Sequence, residues 1–192
     1  MTKVKICGLM TGPNIEAVNQ YKPDYAGFVF APGRHQITFQ QSSRLRKKLD
    51  PAIESVGVFV NESAATIINL FKAKIITIAQ LHGYGDQSMI SKLQSSGLTV
   101  IRVFVNEPID NSLTADFSMI DSGAGSGKLL DLTTIKPNHK IFLAGGLTPE
   151  NVKSAINLIH PFAVDVSSGV ETNGHKDFEK INNFITQAKG AI

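Results

Sequence analysis

Short runs rich in β-branched and aromatic residues recur along the chain: VKIC (4–7), YAGFVF (25–30), SVGVFV (55–60), TIAQLH (77–82), TVIRVFV (99–105), FSMID (117–121), KIFLAG (140–145) and FAVDVSS (162–168). Runs of this length and content read as strands, and their return roughly every twenty residues marks a repeated unit. Between them lie helical signals: Pro13 and Asn14 open PNIEAVNQY (13–21), apolar positions recur at three- and four-residue spacing in ESAATIINLFK (62–72), DQSMISKLQSSG (86–97) ends in Gly97, and TPENVKSAINLI (148–159) has Thr148 as N-cap and Pro149 in its first turn. RLRKKL (44–49) reads as the solvated face of another helix, and the amphipathic DFEKINNFITQA (177–188) as a closing one.

Strand followed by helix, eight times over, argues for parallel pairing, because parallel neighbours need a crossover connection. An open doubly wound sheet and a closed barrel both satisfy that order. Eight units without an obvious edge strand, and without a GxGxxG turn after the first strand, favour the barrel. The expectation is therefore an α/β fold: one compact (β/α)8 TIM barrel domain over residues 1–192. VNEPIDNSLTAD (105–116) carries little helical pattern, so the helix between strands five and six is expected to be short or absent.

Composition narrows the setting more than the chemistry. No stretch reaches the roughly 18 to 20 apolar residues that cross a bilayer, and the opening MTKVKICG lacks the apolar core of a secretory signal. The one cysteine cannot form an internal disulfide, so the expected compartment is the cytoplasm. The net charge of +3 comes from dispersed Lys and Arg with no Trp and three Tyr, which is not a nucleic-acid footprint and fits a solvated surface and a binder of small anions equally. The five His are scattered without ligand spacing, so no metal is expected.

In such a barrel the chemistry lies at the C-terminal strand ends. Cys7 ends strand one, Arg34 lies just beyond strand two, and His82 and Asp121 end strands four and six. Asp165, Ser167 and Ser168 end strand eight. Any one of these has a bland reading as a turn former or, for Cys7, as a small buried hydrophobe; their concentration on one rim argues for function. If Val4 and Ile6 face the helices, Lys5 and Cys7 face the interior, where an ammonium favours the thiolate. Asp121 points inward by the same alternation, giving an acid opposite a base. Gly8 would leave room for a substrate. Three glycine loops, SGAGSGK (122–128), AGGLTPEN (144–151) and DVSSGVE (165–171), follow the last three strands and offer backbone N–H groups to an anion, most simply a phosphate. SGAGSGK is not a Walker loop, since Leu129 follows Lys128.

KICGL, GFVFAPGRHQIT, VGVFVN, QLHG, LAGGLTPENV and DVSSGVETNGHKD, in this order over nearly the whole chain, resemble the phosphoribosylanthranilate isomerase family of the tryptophan pathway. The resemblance implies an aldose–ketose isomerase that carries out a cofactor-free, metal-free Amadori rearrangement of a phosphorylated small molecule. It implies Asp121 as general acid, Cys7 as general base, Arg34 on the anthranilate carboxylate, His82 lining the site and Asp165 near the ribose hydroxyls. Gly125, Ser126, Gly127, Gly145, Gly146, Ser167 and Ser168 would then bind phosphate, in a monomer or homodimer. The chain departs from the family in GAGSGKLLD, where Leu129 replaces an aromatic ring, and in NG where PG is usual. A histidine-pathway aminoaldose isomerase is the rival enzyme, disfavoured by a cysteine rather than an aspartate on strand one. A non-catalytic binder of phosphorylated metabolites is the rival of another class.

Overall fold

The computed structural model describes residues 1–83, 85–121 and 141–191. Eight strands pair in parallel and in chain order: β1 (Lys3–Ile6), β2 (Tyr25–Val29), β3 (Glu54–Phe59), β4 (Ile78–Leu81), β5 (Thr99–Val105), β6 (Phe117–Asp121), β7 (Ile141–Ala144) and β8 (Ala163–Val166). β8 returns to pair with β1, Lys3 beside Ala163 and Lys5 beside Asp165, and the barrel closes. Helices α1 (Gly12–Tyr21), α2 (Phe39–Lys48), α3 (Ala64–Lys72), α4 (Gln87–Ser95), α5 (Val152–Ile159) and α6 (Phe178–Lys189) follow strands one to four, seven and eight. Residues 106–116, between β5 and β6, form turns without a helix, as the weak pattern there predicts. Among the described residues no helix is long and apolar enough to cross a membrane.

The two-residue alternation of the strands sorts their side chains into two layers. Val4, Ile6, Phe28 and Val164 point outward and pack on Ile15 and Val18 of α1 and on Ile181 and Phe184 of α6. Phe59, Leu81 and Val100 do the same against α3 and α4. Tyr25, Val56, Ile101, Met119 and Phe142 fill the interior. Phe142 also meets Phe117 and Phe162, with ring centroids 5.3 and 5.8 Å away, and Lys3 lies over Tyr25 and Phe162. This aromatic group blocks the barrel near the strand starts, leaving the other end for a site.

Helix starts are fixed by side-chain caps: Thr11 and Asn14 form a reciprocal capping box on α1, as do Thr38 and Gln41 on α2, and Asp177 accepts from two N–H groups of α6. The expected cap at Thr148 is corrected. Helix α5 begins only at Val152, with Asn151 at its N-cap, and Thr148 caps the turn before it: its Oγ1 accepts the Glu150 N–H at 3.3 Å and its carbonyl the Val152 N–H at 3.0 Å. Asn151 Oδ1 accepts the Thr148 N–H at 2.8 Å and its amide donates to Gly146 O at 2.9 Å, so the side chain that could have capped α5 instead braces the loop after β7.

Candidate active site

The alternation that turns Val4 and Ile6 toward the helices turns Lys5 inward, where it is fully buried. Its Nζ lies 2.8 Å from Asp165 Oδ1, the carboxylate of the residue paired with it on β8. Cys7 follows β1 directly; its N–H donates to Val166 O at 2.8 Å, which continues the β1–β8 ladder and seats the thiol on the rim. The thiol requires a glycine beside it on β2. A Cβ on Gly27 would stand 2.7 Å from Cys7 Sγ, closer than real carbon–sulfur contacts allow.

Gly8, expected to make space for a substrate, makes space for the protein. Its φ of +76° favours glycine, and a Cβ there would meet the His35 ring and Ser167 Oγ, each at 3.0 Å. The turn after Cys7 is thus held between the loop after β2 and the end of β8.

The electrostatics of the Lys5–Asp165–Cys7 group follow from burial. Burial works against the Lys5 ammonium, but Asp165 and Cys7 outweigh it and hold its pKa above the ordinary value. For Cys7, burial raises the pKa first; Lys5 pulls it down, Asp165 pushes it up, and the thiol ends above its usual range. Lys5 is therefore near enough to act on Cys7, yet burial and Asp165 prevail, and the resting group is a thiol rather than the thiolate that an ammonium neighbour alone suggests.

On the opposite arc, His82 follows β4 and Asp121 ends β6. His82 Nε2 and Asp121 Oδ2 are 3.7 Å apart, both partly exposed, and the Gln80 amide lies 3.5 Å from His82 Nδ1. Asp121 stands beside Ala144 of β7, where Gly145 and Gly146 begin the next loop with φ of +91° and +65°. Gly125, Ser126 and Gly127, with Lys128 and Leu129, lie outside the described residues.

Ser167 and Ser168 follow β8, and Ser168 opens a single 3-10 turn to Val170. Beyond it comes a feature that the sequence reading missed: a hairpin of β9 (Glu171–Thr172) and β10 (His175–Lys176). Its turn residues Asn173 and Gly174 have φ of +52° and +79°, the signature of a two-residue hairpin loop. The NG dipeptide, noted in the sequence only as a departure from the family's PG, is the local signal for this turn. The register sets Lys176 opposite Glu171. Lys176 Nζ donates to Glu171 Oε1 at 2.6 Å and to Ser167 O at 2.9 Å. His35 Nε2 lies 2.7 Å from the same Oε1, so that nitrogen carries the proton, and Arg34 Nη2 lies 2.8 Å from Oε2. Arg34 is thereby tethered at the rim with more than half of its side chain exposed. Burial would raise the Glu171 pKa, but Lys176, His35 and Arg34 hold it below the usual carboxylate value. His35 is pushed down by burial and by Lys176 and stays neutral at neutral pH.

Cys7, Arg34, Asp165, Ser167 and Ser168 thus gather around the β1–β8 seam, with His82 and Asp121 as a second pair on the same rim. Among the described residues no group of three or more His, Cys, Asp or Glu side chains is placed to hold a metal ion.

Comparison with known proteins agrees with this architecture. The family model of N-(5'phosphoribosyl)anthranilate (PRA) isomerase matches residues 4–187. The N-(5'-phosphoribosyl)anthranilate isomerase of Lacticaseibacillus casei (strain BL23) is 54% identical over an alignment covering 100% of this chain and 97% of that protein. The crystal structure of TrpF from Jonesia denitrificans superposes with a TM-score of 0.89 at 31% identity, covering 100% of this chain and 98% of the other. A phosphoribosyl anthranilate isomerase solved in complex with reduced 1-(o-carboxyphenylamino)-1-deoxyribulose 5-phosphate superposes with a TM-score of 0.85 at 32% identity, covering 99% of this chain and 100% of that one. The chain belongs to the N-(5'-phosphoribosyl)anthranilate isomerase family, the aldose–ketose isomerases of tryptophan biosynthesis.

Proposed function

We propose that the protein converts N-(5-phosphoribosyl)anthranilate into 1-(2-carboxyphenylamino)-1-deoxyribulose 5-phosphate in the cytoplasm by general acid–base catalysis alone, with Asp121 as acid and Cys7 as base. The observation that carries the reading is Cys7: a buried thiol on the C-terminal rim, beside the buried Lys5 ammonium and across the rim from the carboxyl group of Asp121.

Asp121 gives its proton to the furanose ring oxygen as the C1′–O bond breaks, and the anthranilate nitrogen lone pair forms the C1′=N bond of a Schiff base. Cys7 then removes the C2′ proton. The C–H electron pair becomes a C1′=C2′ bond and the C1′=N pair returns to nitrogen, giving an enolamine. Protonation at C1′ and loss of the 2′-hydroxyl proton complete the ketone, so substrate and product have the same atoms.

Thiolate formation at neutral pH is disfavoured in the resting site, and the positive charge of the Schiff base supplies what Lys5 alone does not: a second cation that favours loss of the Cys7 thiol proton to solvent, leaving the thiolate that accepts the C2′ proton, and that acidifies the C2′–H bond itself. The Arg34 guanidinium suits the planar anthranilate carboxylate, since its fork matches two oxygens. Backbone N–H groups around Gly145, Gly146, Ser167 and Ser168, with Gly125, Ser126 and Gly127, are assigned to the phosphate, Asp165 to the ribose hydroxyls, and His82 to the wall beside Asp121. The relative solved with a reduced form of the product supports the substrate class. The test is direct: purified protein added to the substrate should make the anthranilate fluorescence decay at a rate proportional to enzyme concentration, and an unchanged signal would reject the reading.

A further inference from the structure

Glu171 is a carboxylate with 4% of its side chain exposed and three basic side chains around it, drawn from two separate segments of the chain. Arg34 and His35 come from the loop after β2, and Lys176 from the opposite strand of the hairpin. Each leads to a different part of the site. Arg34 reaches the rim; the His35 ring packs where a Gly8 side chain would stand; Lys176 holds Ser167, whose hydroxyl closes the other side of Gly8. The Arg34 guanidinium also lies over the hairpin turn, 3.8 Å from where a Gly174 Cβ would be. One carboxylate therefore joins the strand-two loop to the strand-eight loop with the Cys7–Gly8 turn clamped between them.

We propose that Glu171 is a positioning residue of the isomerase site, resting on the function proposed above: through Arg34, His35 and Lys176 it sets the spacing between the group that receives the substrate carboxylate and the thiol that takes the C2′ proton. The Asn173–Gly174 turn is part of the device, because a two-residue loop fixes the register that faces Glu171 with Lys176. Glu171 neither touches the reacting atoms nor replaces Cys7 or Asp121; it acts through the side chains that it holds.

The experiment is a double-mutant cycle between Glu171→Gln and Arg34→Ala, read as KM and kcat with circular dichroism confirming the fold. Glu171→Gln should raise KM about tenfold or more, as expected for loss of the buried charge that pairs with the Arg34 guanidinium, and lower kcat less. In the Arg34→Ala background the KM effect should largely vanish, because the tether has nothing left to hold. Glu171→Asp should recover part of the loss. Kinetics like the parent's in Glu171→Gln, or an undiminished effect in the Arg34→Ala background, would overturn the proposal. Should Glu171→Gln fail to fold, Glu171→Asp carries the test, and an unchanged KM in that variant overturns it. A parent protein without turnover would reject the isomerase reading instead. The clamp is then read from alkylation of Cys7 by iodoacetamide, which loosening by Glu171→Gln should accelerate and which an equal rate in both proteins would contradict.

Discussion

Lys5 and Asp165 meet 2.8 Å apart inside the barrel, at paired positions of the two strands that close it. Both charges are buried, Lys5 completely and Asp165 to about nine-tenths. A buried pair of this kind is weak evidence of net stabilisation, but breaking it leaves one charge without compensation. Lys5→Met or Asp165→Leu should each lower unfolding free energy by about 3 to 5 kcal/mol, measured by urea denaturation. The double variant should be less damaged than the sum of the two, and strict additivity would show that the ion pair does not couple the strands.

The raised pKa of Cys7 has a kinetic consequence. A general base works deprotonated, so kcat/KM for the free enzyme should rise with pH through an alkaline limb lying above the usual thiol value of about 8.5. Cys7→Ser, whose hydroxyl does not ionise in that range, should lose both the limb and most of the rate. A limb that persists in Cys7→Ser would assign it to another group.

The same shift links folding to pH. Below the unfolded-state thiol pKa of about 8.5 the contribution of Cys7 is fully present. Above it the unfolded chain releases the proton while the folded protein still holds it, so stability falls as pH rises toward the folded pKa. Lys5, also raised in the folded state, adds its own loss only above the unfolded lysine value of about 10.4, so the range from pH 8 to 10 reports Cys7. Thermal midpoints measured between pH 8 and 10 should fall less steeply for Cys7→Ala than for the parent, and parallel curves would count against a buried neutral thiol.

Gly27 offers a steric test. A methyl group there would lie within 2.7 Å of Cys7 Sγ, with the Cys7 backbone close behind. Gly27→Ala should cost about 1 to 3 kcal/mol in stability through overpacking and should displace the thiol, lowering kcat more than it raises KM. Parent kcat in a folded Gly27→Ala protein would mean that thiol position is not critical.

Much of this was legible in the sequence for a simple reason. All eight strands carry their own apolar runs, and the inward and outward faces follow from period-two alternation, so Val4 and Lys5 could be assigned to opposite layers before any coordinates. Cys7, His82 and Asp121 could be placed on the rim because strand ends define it. What was missed depends on contacts that span long stretches of chain. The hairpin at Glu171–Lys176 has two-residue strands, too short for any periodicity, and only its Asn173–Gly174 dipeptide marked the turn. Thr148 has the composition of a cap, but Asn151 is drawn to the backbone of Gly146, and the helix starts later. The protonation of Cys7 depends on burial and on Asp165, placed 158 residues away by barrel closure; Lys5 alone, two residues away, pointed in the opposite direction.

The central claim is that Cys7 and Asp121 divide the rearrangement between them, and its most direct measurement is turnover of N-(5-phosphoribosyl)anthranilate by Cys7→Ala and Asp121→Asn, followed by anthranilate fluorescence with circular dichroism as the control for folding. The account predicts a rate reduced at least about a hundredfold in each variant, the usual scale for a lost general acid or base, with a native spectrum. Near-parental turnover in either variant would contradict it.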